Sequence, residues 1–442
     1  MLPFFRQTTL TLACMAALAA CAAPKDSTPV QTQSMITNPV ATDPFDSIES
    51  KIDTIDQTPA LDTTSKQPNN NQPLPLNDPK QMPVIRAPAT QAGSSTVESS
   101  NTEQALTDQS LTDHSTDPIA DPTSPSTESN TATTPPPDVS LWTADLINTA
   151  TWVEGLDKGQ YPVYAKAQIL LDRSHSSPGA IDGITGRNML KSIAAFELMQ
   201  GLPVDGLMDA EVWNRLMLAD TSPVMISYTL TDADIKGPYA STPHDYAEQA
   251  KMKGLYYGSV TEMLGERFHM DQRFLEQINS GKDFSKVGEQ ILVADPGPAD
   301  TRPIHLLIAH KGARELYGFD ENHNMIVAYP ATIGSDDTPS PSGDVTIKAI
   351  APNPWYGYNP KNFIQGKNMK PLSLPPGPNN PVGSMWIALS KPSYGIHGTP
   401  SPSRIDKSRS HGCVRLTNWD AEALAKRIKK GVPVQFRGSP SN

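Results

Sequence analysis

One cysteine stands in a loop that no apolar core would accept: Ser410-His411-Gly412-Cys413-Val414-Arg415-Leu416. A thiol attacks as the thiolate, and a free pKa of about 8.5 leaves it mostly protonated at neutral pH. A nearby imidazole can take that proton and hold an ion pair with the sulfur. Two histidines compete for the role. His411 is two positions from Cys413, too close for easy side-chain alignment in an extended loop, whereas His397 closes a strand-like run and the intervening chain can return to it. Cys413 is therefore the expected nucleophile and His397 the expected proton acceptor and donor. Gly398 and Gly412 leave room for backbone to approach a carbonyl, and amides around Gly412 and Cys413 could face a developing oxyanion. Asp406, between the two histidines, reads as a turn residue and not as a third member of a triad.

The other cysteines, Cys14 and Cys21, sit in MLPFFRQTTLTLACMAALAAC, which has one basic residue, Arg6, and a short apolar run ending Leu18-Ala19-Ala20-Cys21. That run is too short to span a bilayer and reads as a signal-peptide core. Its end resembles a bacterial lipobox, which implies lipidation of Cys21 and, with Ala22 next, sorting to the outer membrane. The alternative is an ordinary secretory signal that happens to contain a cysteine. If Cys14 leaves and Cys21 is capped, Cys413 is the one free thiol of the mature chain. Exported proteins use cysteine mostly in disulfide pairs, so a leftover thiol is either inert and buried or a working nucleophile.

Residues 22–140 are rich in Pro, Thr, Ser, Asn, Gln and Asp and carry 16 acidic against 5 basic side chains. Such a segment cannot bury enough apolar surface to offset its ordering entropy, and is expected to be a disordered acidic tether roughly 60 Å end to end. It accounts for the chain's net charge of −11; residues 302–442 alone hold 17 Lys or Arg against 9 Asp or Glu. A basic C-terminal domain suits an anionic substrate.

The elements that must position the thiol follow. GAIDGITG (179–186), a helical stretch through Phe196, and GLPVDGLMDAEVWNRL (201–216) predict helices separated by two similar Asp-Gly turns, with Gly201 as a helix stop. This resembles the small three-helix peptidoglycan-binding domain, matched at Asp182-Gly183, Phe196 and Gly201–Gly206; Glu197 stands where that family usually has Gln. The resemblance implies glycan-strand binding through 141–222; a helical bundle without a ligand is the alternative. Residues 223–301 read as a small α+β connecting segment faintly similar to a LysM module: Ser259-Val-Thr-Glu262 as a capping box, Asp271 capping a second helix with Leu275 and Ile278 inward, and a strand at 290–293. No first strand is recognisable. From 302 the pattern becomes β-like, with runs at 305–309, 316–320, 325–334, 344–350, 385–389, 394–397 and 432–436, and a helix at 418–430 capped by Thr417 or Asn418.

The residues His397-Gly398-Thr399 and Ser410–Leu416, with PSPSGDVTIK, NPWYGYNP, PPGPNNPVG and MWIALSKPSYGIHGT upstream, are similar to the L,D-transpeptidase family, the YkuD-type domain. The expected architecture is therefore a mostly-β catalytic domain with one C-terminal helix (302–438), behind a small helical wall-binding domain and a connecting segment. The resemblance implies that Cys413 attacks the carbonyl of the third residue of a peptidoglycan tetrapeptide and releases D-alanine. An amine then resolves the thioester to give a 3→3 cross-link. It implies oxyanion binding by Gly412 and Cys413 amides, orientation of His397 by Ser410, and shaping of the site by His411 and Arg415, with Arg415 able to pair with a substrate carboxylate. Loop-stabilising hydrogen bonds are the alternative role for Ser410, His411 and Arg415. A lid is implied at 352–383, with Trp355 and Tyr356 facing the wall. Stem peptides, glycan strands and the outer membrane are the expected partners; no cofactor, metal or nucleic acid is expected. Three alternatives remain open: an L,D-carboxypeptidase, attachment to a lysine of a wall-linked lipoprotein, and a non-catalytic anchor between outer membrane and wall.

Overall fold

The computed structural model describes residues 142–334, 340–359, 370–407 and 412–438. The signal segment with Cys21, the tether, Ser410 and His411 lie outside the described residues. Four helices come first: α1 (Ala144–Thr149), α2 (Pro162–Arg173), α3 (Arg187–Gln200) and α4 (Ala210–Ala219). Gly201 ends α3 at φ +67°, the left-handed conformation that a glycine adopts without a Cβ penalty. Asp209 caps α4 by accepting the Val212 amide.

The two Asp-Gly turns are built by one repeated device. Gln168 on α2 accepts the amides of Asp182 and Gly183 at 3.1 and 2.7 Å, and Asp182 accepts the Ile184 amide. Glu197 on α3 accepts the amides of Asp205 and Gly206, both at 2.9 Å, and Asp205 accepts the Leu207 amide. Position 197 needs only an acceptor, which is why Glu can stand where Gln is usual. The substitution has a cost, because Glu197 is 1% exposed. Burial pushes its carboxyl up to about 7 against the pull of the two amides.

The connecting segment contains β1 (Met225–Thr229), α5 (Asp232–Lys236), α6 (Tyr246–Gln249), α7 (Val260–Arg267), α8 (Gln272–Ile278) and β2 (Gln290–Ala294). Ser259 accepts the Glu262 amide as expected, but the Glu262 carboxylate reaches one residue further back, to the Gly258 amide. Asp271 caps α8, and Leu275 and Ile278 are buried. The strand that the sequence concealed is β1, which pairs antiparallel with β2. Three of its five side chains are exposed, Ile226 among them, so no apolar alternation marks it. A single buried apolar cluster runs from Trp142 through Leu216 to Ala294, so the helical and connecting segments share one core.

The C-terminal domain is a nine-stranded sheet: β3 (Leu306–His310), β4 (Glu315–Phe319), β5 (Met325–Pro330), β6 (Thr332–Ile333), β7 (Gly343–Pro352), β10 (Met385–Leu389), β11 (Gly395–His397), β12 (Val414–Arg415) and β13 (Pro433–Arg437). A two-stranded hairpin, β8 (Tyr356–Tyr358) and β9 (Leu372–Leu374), stands apart. The spatial order is β5-β4-β3-β13-β7-β10-β11-β12-β6, with β13–β3 and β11–β12 parallel and the remaining pairs antiparallel. The expected C-terminal helix is α9 (Asn418–Arg427), capped by Thr417 and ending one turn before the expected limit. Leu307, Leu316 and Tyr329 point into a core with Leu424 and Ile428 of the α9 region. Ile308, Tyr317 and Ala328 meet Leu190, Ala194 and Ala195 of α3. Both faces of β3–β5 are therefore covered, and these strands read as unbroken apolar runs. The edge strand β5 is also paired, since Ala328 exchanges backbone hydrogen bonds with His175 and Ser177.

Polar junctions complete the union. Lys191 of α3, 1% exposed, lies 3.0 Å from Asp406, which also meets Arg187 at 3.3 Å. His269 pairs with Asp172 at 2.7 Å and stacks on Trp419 of α9. The base of the hairpin packs Tyr358 and Leu374 on Tyr246 and Leu255 of the connecting segment. A Cβ on Gly377 would fall 2.0 Å from the Leu255 carbonyl oxygen, so that approach requires glycine.

Two stability measurements follow. The folded chain holds the Glu197 proton up to about pH 7, while the unfolded chain releases it near 4.5, so stability falls as pH rises between those values. Glu197→Gln keeps an acceptor and removes the charge; it should match the parent near pH 4.5 and melt higher at pH 8, with on the order of 3 kcal/mol as a ceiling. Equal melting at pH 8 would contradict this. Asp406→Ala strands the buried Lys191 ammonium and should cost about 3–5 kcal/mol by denaturant unfolding; a loss below about 1 kcal/mol would count against the pairing.

Candidate active site

The thiol and the imidazole are carried by two adjacent short strands. β11 ends at His397, and Cys413 immediately precedes β12. The strands are parallel, with Ile396 opposite Val414 and His397 opposite Arg415. Continuing that register sets Cys413 beside Gly395. Side chains two apart on a strand share a face, so Cys413 and His397 are diagonal neighbours on one face of the sheet. Strands about 4.8 Å apart and two residues of about 3.3 Å rise give a Cα separation of about 8 Å, which these side chains can close by leaning together. Cys413 is half-buried, and its sulfur lies 3.9 Å from the Ser393 carbonyl oxygen.

His397 is 5% exposed and held on two sides. Its Nδ1 is 2.7 Å from the Gly398 carbonyl oxygen. A carbonyl can only accept, so Nδ1 carries the proton and Nε2 presents a lone pair. Trp386, directly across β10, stacks on the ring at 5.6 Å and 24°. That tryptophan also covers position 395, where a Cβ would lie 2.6 Å from the indole; Gly395 gives the indole its room. Sequence reasoning missed Trp386 because the cross-strand register that aims it at His397 has no local signature.

The electrostatics bear on the resting state of the pair. An imidazole can hold a thiol as a thiolate–imidazolium pair, but here burial pushes His397 down to about 3, assisted by the Arg415 charge and opposed by the Gly398 carbonyl. Burial pushes the Cys413 thiol up, against the Gly395 amide and the Arg415 charge. Both partners are thus neutral at rest. Little water reaches them, and the guanidinium that would favour a thiolate disfavours an imidazolium.

Gly412 is buried with φ +93°, a left-handed backbone next to the thiol, while Arg415 sits half-buried beside His397. Asp406 is drawn into the Lys191 junction, and Asn418, considered only as a helix cap, proves to be a buried hub. Trp355 is 65% exposed at the base of the hairpin, and Tyr356 is half-buried and packs in the cluster around Tyr246. A separate cavity of about 380 Å³ lies where the three segments meet, lined in part by His269, Glu266, Trp419 and Asp420.

Residues 305–436 match the family model described as L,D-transpeptidase catalytic domain, and residues 162–216 match the one described as "Putative peptidoglycan binding domain". Among curated proteins, "Putative L,D-transpeptidase YkuD" of Bacillus licheniformis is 29% identical over 182 residues, covering 40% of this chain and 94% of that protein. "Probable L,D-transpeptidase YbiS" of Escherichia coli is 30% identical over 139 residues, covering 30% of this chain and 45% of that protein. The solved L,D-transpeptidase 3 of Mycobacterium tuberculosis overlays 36% of this chain and 77% of its own, at 15% identity and a TM-score of 0.26, a level that carries no argument.

The neutral pair makes a kinetic prediction. Alkylation of Cys413 by iodoacetamide should rise with pH and still be rising where an ordinary thiol, at about 8.5, levels off. No inflection from His397 should appear between pH 5 and 8. A rate already level below pH 7 would instead mean a preformed ion pair. Taken together, the matched segments and the strand pair beneath the thiol make this chain an enzyme with an L,D-transpeptidase catalytic domain of the YkuD type, placed after a peptidoglycan-binding domain.

Proposed function

We propose that this enzyme forms 3→3 cross-links in peptidoglycan through an acyl-enzyme on Cys413. The observation that supports this most is the parallel β11–β12 register, which sets Cys413 and His397 on one face, with the proton of His397 fixed at Nδ1. As the thiol sulfur attacks the carbonyl carbon of the third stem residue, its proton passes to Nε2. The C–N bond to the terminal D-alanine breaks, and the leaving amine takes that proton. An acceptor amine, such as the side chain of diaminopimelate on a neighbouring stem, then attacks the thioester; its proton passes through His397 Nε2 to the departing sulfur as the S–C bond breaks, and the thiol is restored. One amide is exchanged for another, so no external energy source is required.

Amides at Gly412 and Cys413 are the proposed oxyanion donors, and a left-handed Gly412 suits a loop that turns its N–H groups toward one point. Arg415 is proposed to pair with a substrate carboxylate. Ser410 and His411 keep their expected supporting roles. Glycan strands are the proposed ligand of 141–222, and lipid on Cys21 is proposed to hold the enzyme at the periplasmic face of a Gram-negative outer membrane.

The full chain incubated with disaccharide-tetrapeptides should release D-alanine and yield dimers joined 3→3, and the Cys413→Ala variant should yield neither. A carbapenem should add covalently to the parent but not to that variant, by intact-mass spectrometry. Tripeptide alone would replace the cross-linking reading with a carboxypeptidase. Stems joined only to a lipoprotein lysine would redirect the acceptor. Unaltered substrate with no adduct would leave an anchoring protein.

A further inference from the structure

The peptide unit that orients His397 is itself held, and the holder is anchored outside the catalytic domain. Gly398 and Thr399 share one planar peptide group. Its C=O accepts the His397 Nδ1 proton at 2.7 Å. Its N–H, on the opposite edge, donates to Asn418 Oδ1 at 3.1 Å. The same Oδ1 accepts the Ser384 amide at 3.1 Å. It is wedged so tightly between two turns that a Cβ at Gly383 or Gly398 would come within 2.0 or 2.2 Å of it.

A carboxamide can be turned over, and only its partners decide which end faces which way. Asn418 Nδ2 donates to both carboxyl oxygens of Glu266, at 3.0 and 2.9 Å, and to the Pro378 carbonyl at 3.2 Å. Glu266 belongs to α7 of the connecting segment, 152 positions earlier in the chain, and its Oε2 also accepts the Tyr257 hydroxyl at 3.1 Å. Asn418 and Glu266 are 2% and 6% exposed, so water does not compete for these bonds. Bonds arranged in series across one peptide unit polarise one another.

We propose that Asn418, turned the right way by Glu266 of the connecting segment, is a positioning residue for His397: it clamps the N–H edge of the Gly398–Thr399 peptide whose C=O edge fixes the imidazole. The inference rests on His397 being the proton carrier of the reaction. It gives the connecting segment a part in the chemistry, because removing a side chain from α7 loosens the ring on β11.

The test uses the full chain with ¹⁵N-labelled histidine and the variants Asn418→Ala, Glu266→Ala and Glu266→Gln. In the parent, His397 should show one protonated nitrogen, Nδ1, and one bare nitrogen. Both alanine variants should give mixed tautomers, and Glu266→Gln, which keeps an acceptor, should restore the parent pattern. Carbapenem acylation of Cys413 should slow by about 10- to 100-fold in the alanine variants and recover in Glu266→Gln. A pure Nδ1–H signal in both alanine variants would overturn the proposal whatever the acylation rates. A parent that forms no adduct would instead overturn the Cys413–His397 reading, and the tautomer signals would still decide the clamp. Since Glu266 lies outside the catalytic sheet, its variants keep the question answerable if Asn418→Ala does not fold.

Discussion

The chemistry proposed for this enzyme depends on the pairing of two strands that together span five residues. β11 and β12 run parallel, and their register decides whether the thiol and the imidazole share a face or turn their backs. A slip of one residue would put Cys413 on the opposite side of the sheet from His397. Strands this short have few ladder bonds with which to resist a slip. The register is fixed instead by their surroundings: β10 on one flank, β6 on the other, α9 beneath, and the Leu416 amide bonded to the His397 carbonyl at 2.8 Å.

Around that pair the protein has buried the imidazole and kept its charges few. Burial, assisted by the Arg415 guanidinium, leaves His397 uncharged, while the Gly398 carbonyl fixes its tautomer and Trp386 stacks on its ring. In the proposed reaction the thiol proton moves only as a bond to the substrate forms. Buried carboxyls line the cavity at the junction of the three segments. There Glu266 is pushed up to about 8 and Asp420 to about 7, chiefly by burial.

Much of this was readable from residues alone. The motif around Cys413 and the strand closing at His397 were visible, as were the β pattern after 302 and the caps at Asp271, Thr417 and the Gly201 stop, because each is a local signal. What could not be read was whatever depends on register or on distant partners. β1 was hidden because its exposed face breaks the alternation. Trp386 meets His397 only through the β10–β11 pairing. Asp406 read as a turn, and its φ of +65° agrees, but its attachment to Lys191 crosses more than two hundred positions. Asn418 read as a helix cap; Thr417 does the capping, and Asn418 faces inward to Glu266.

The Lys191–Asp406 contact sets a limit on how freely such a chain can be recombined. A catalytic segment cut out at 302 would carry a buried aspartate without its ammonium and an asparagine without its carboxyl partner, beneath a sheet face stripped of α3. Swapping the wall-binding portion for another, as in mosaic proteins whose parts meet only through linkers, would therefore require the graft to reproduce both the apolar footprint and these two polar contacts. The parts are contiguous in sequence but were shaped as one body.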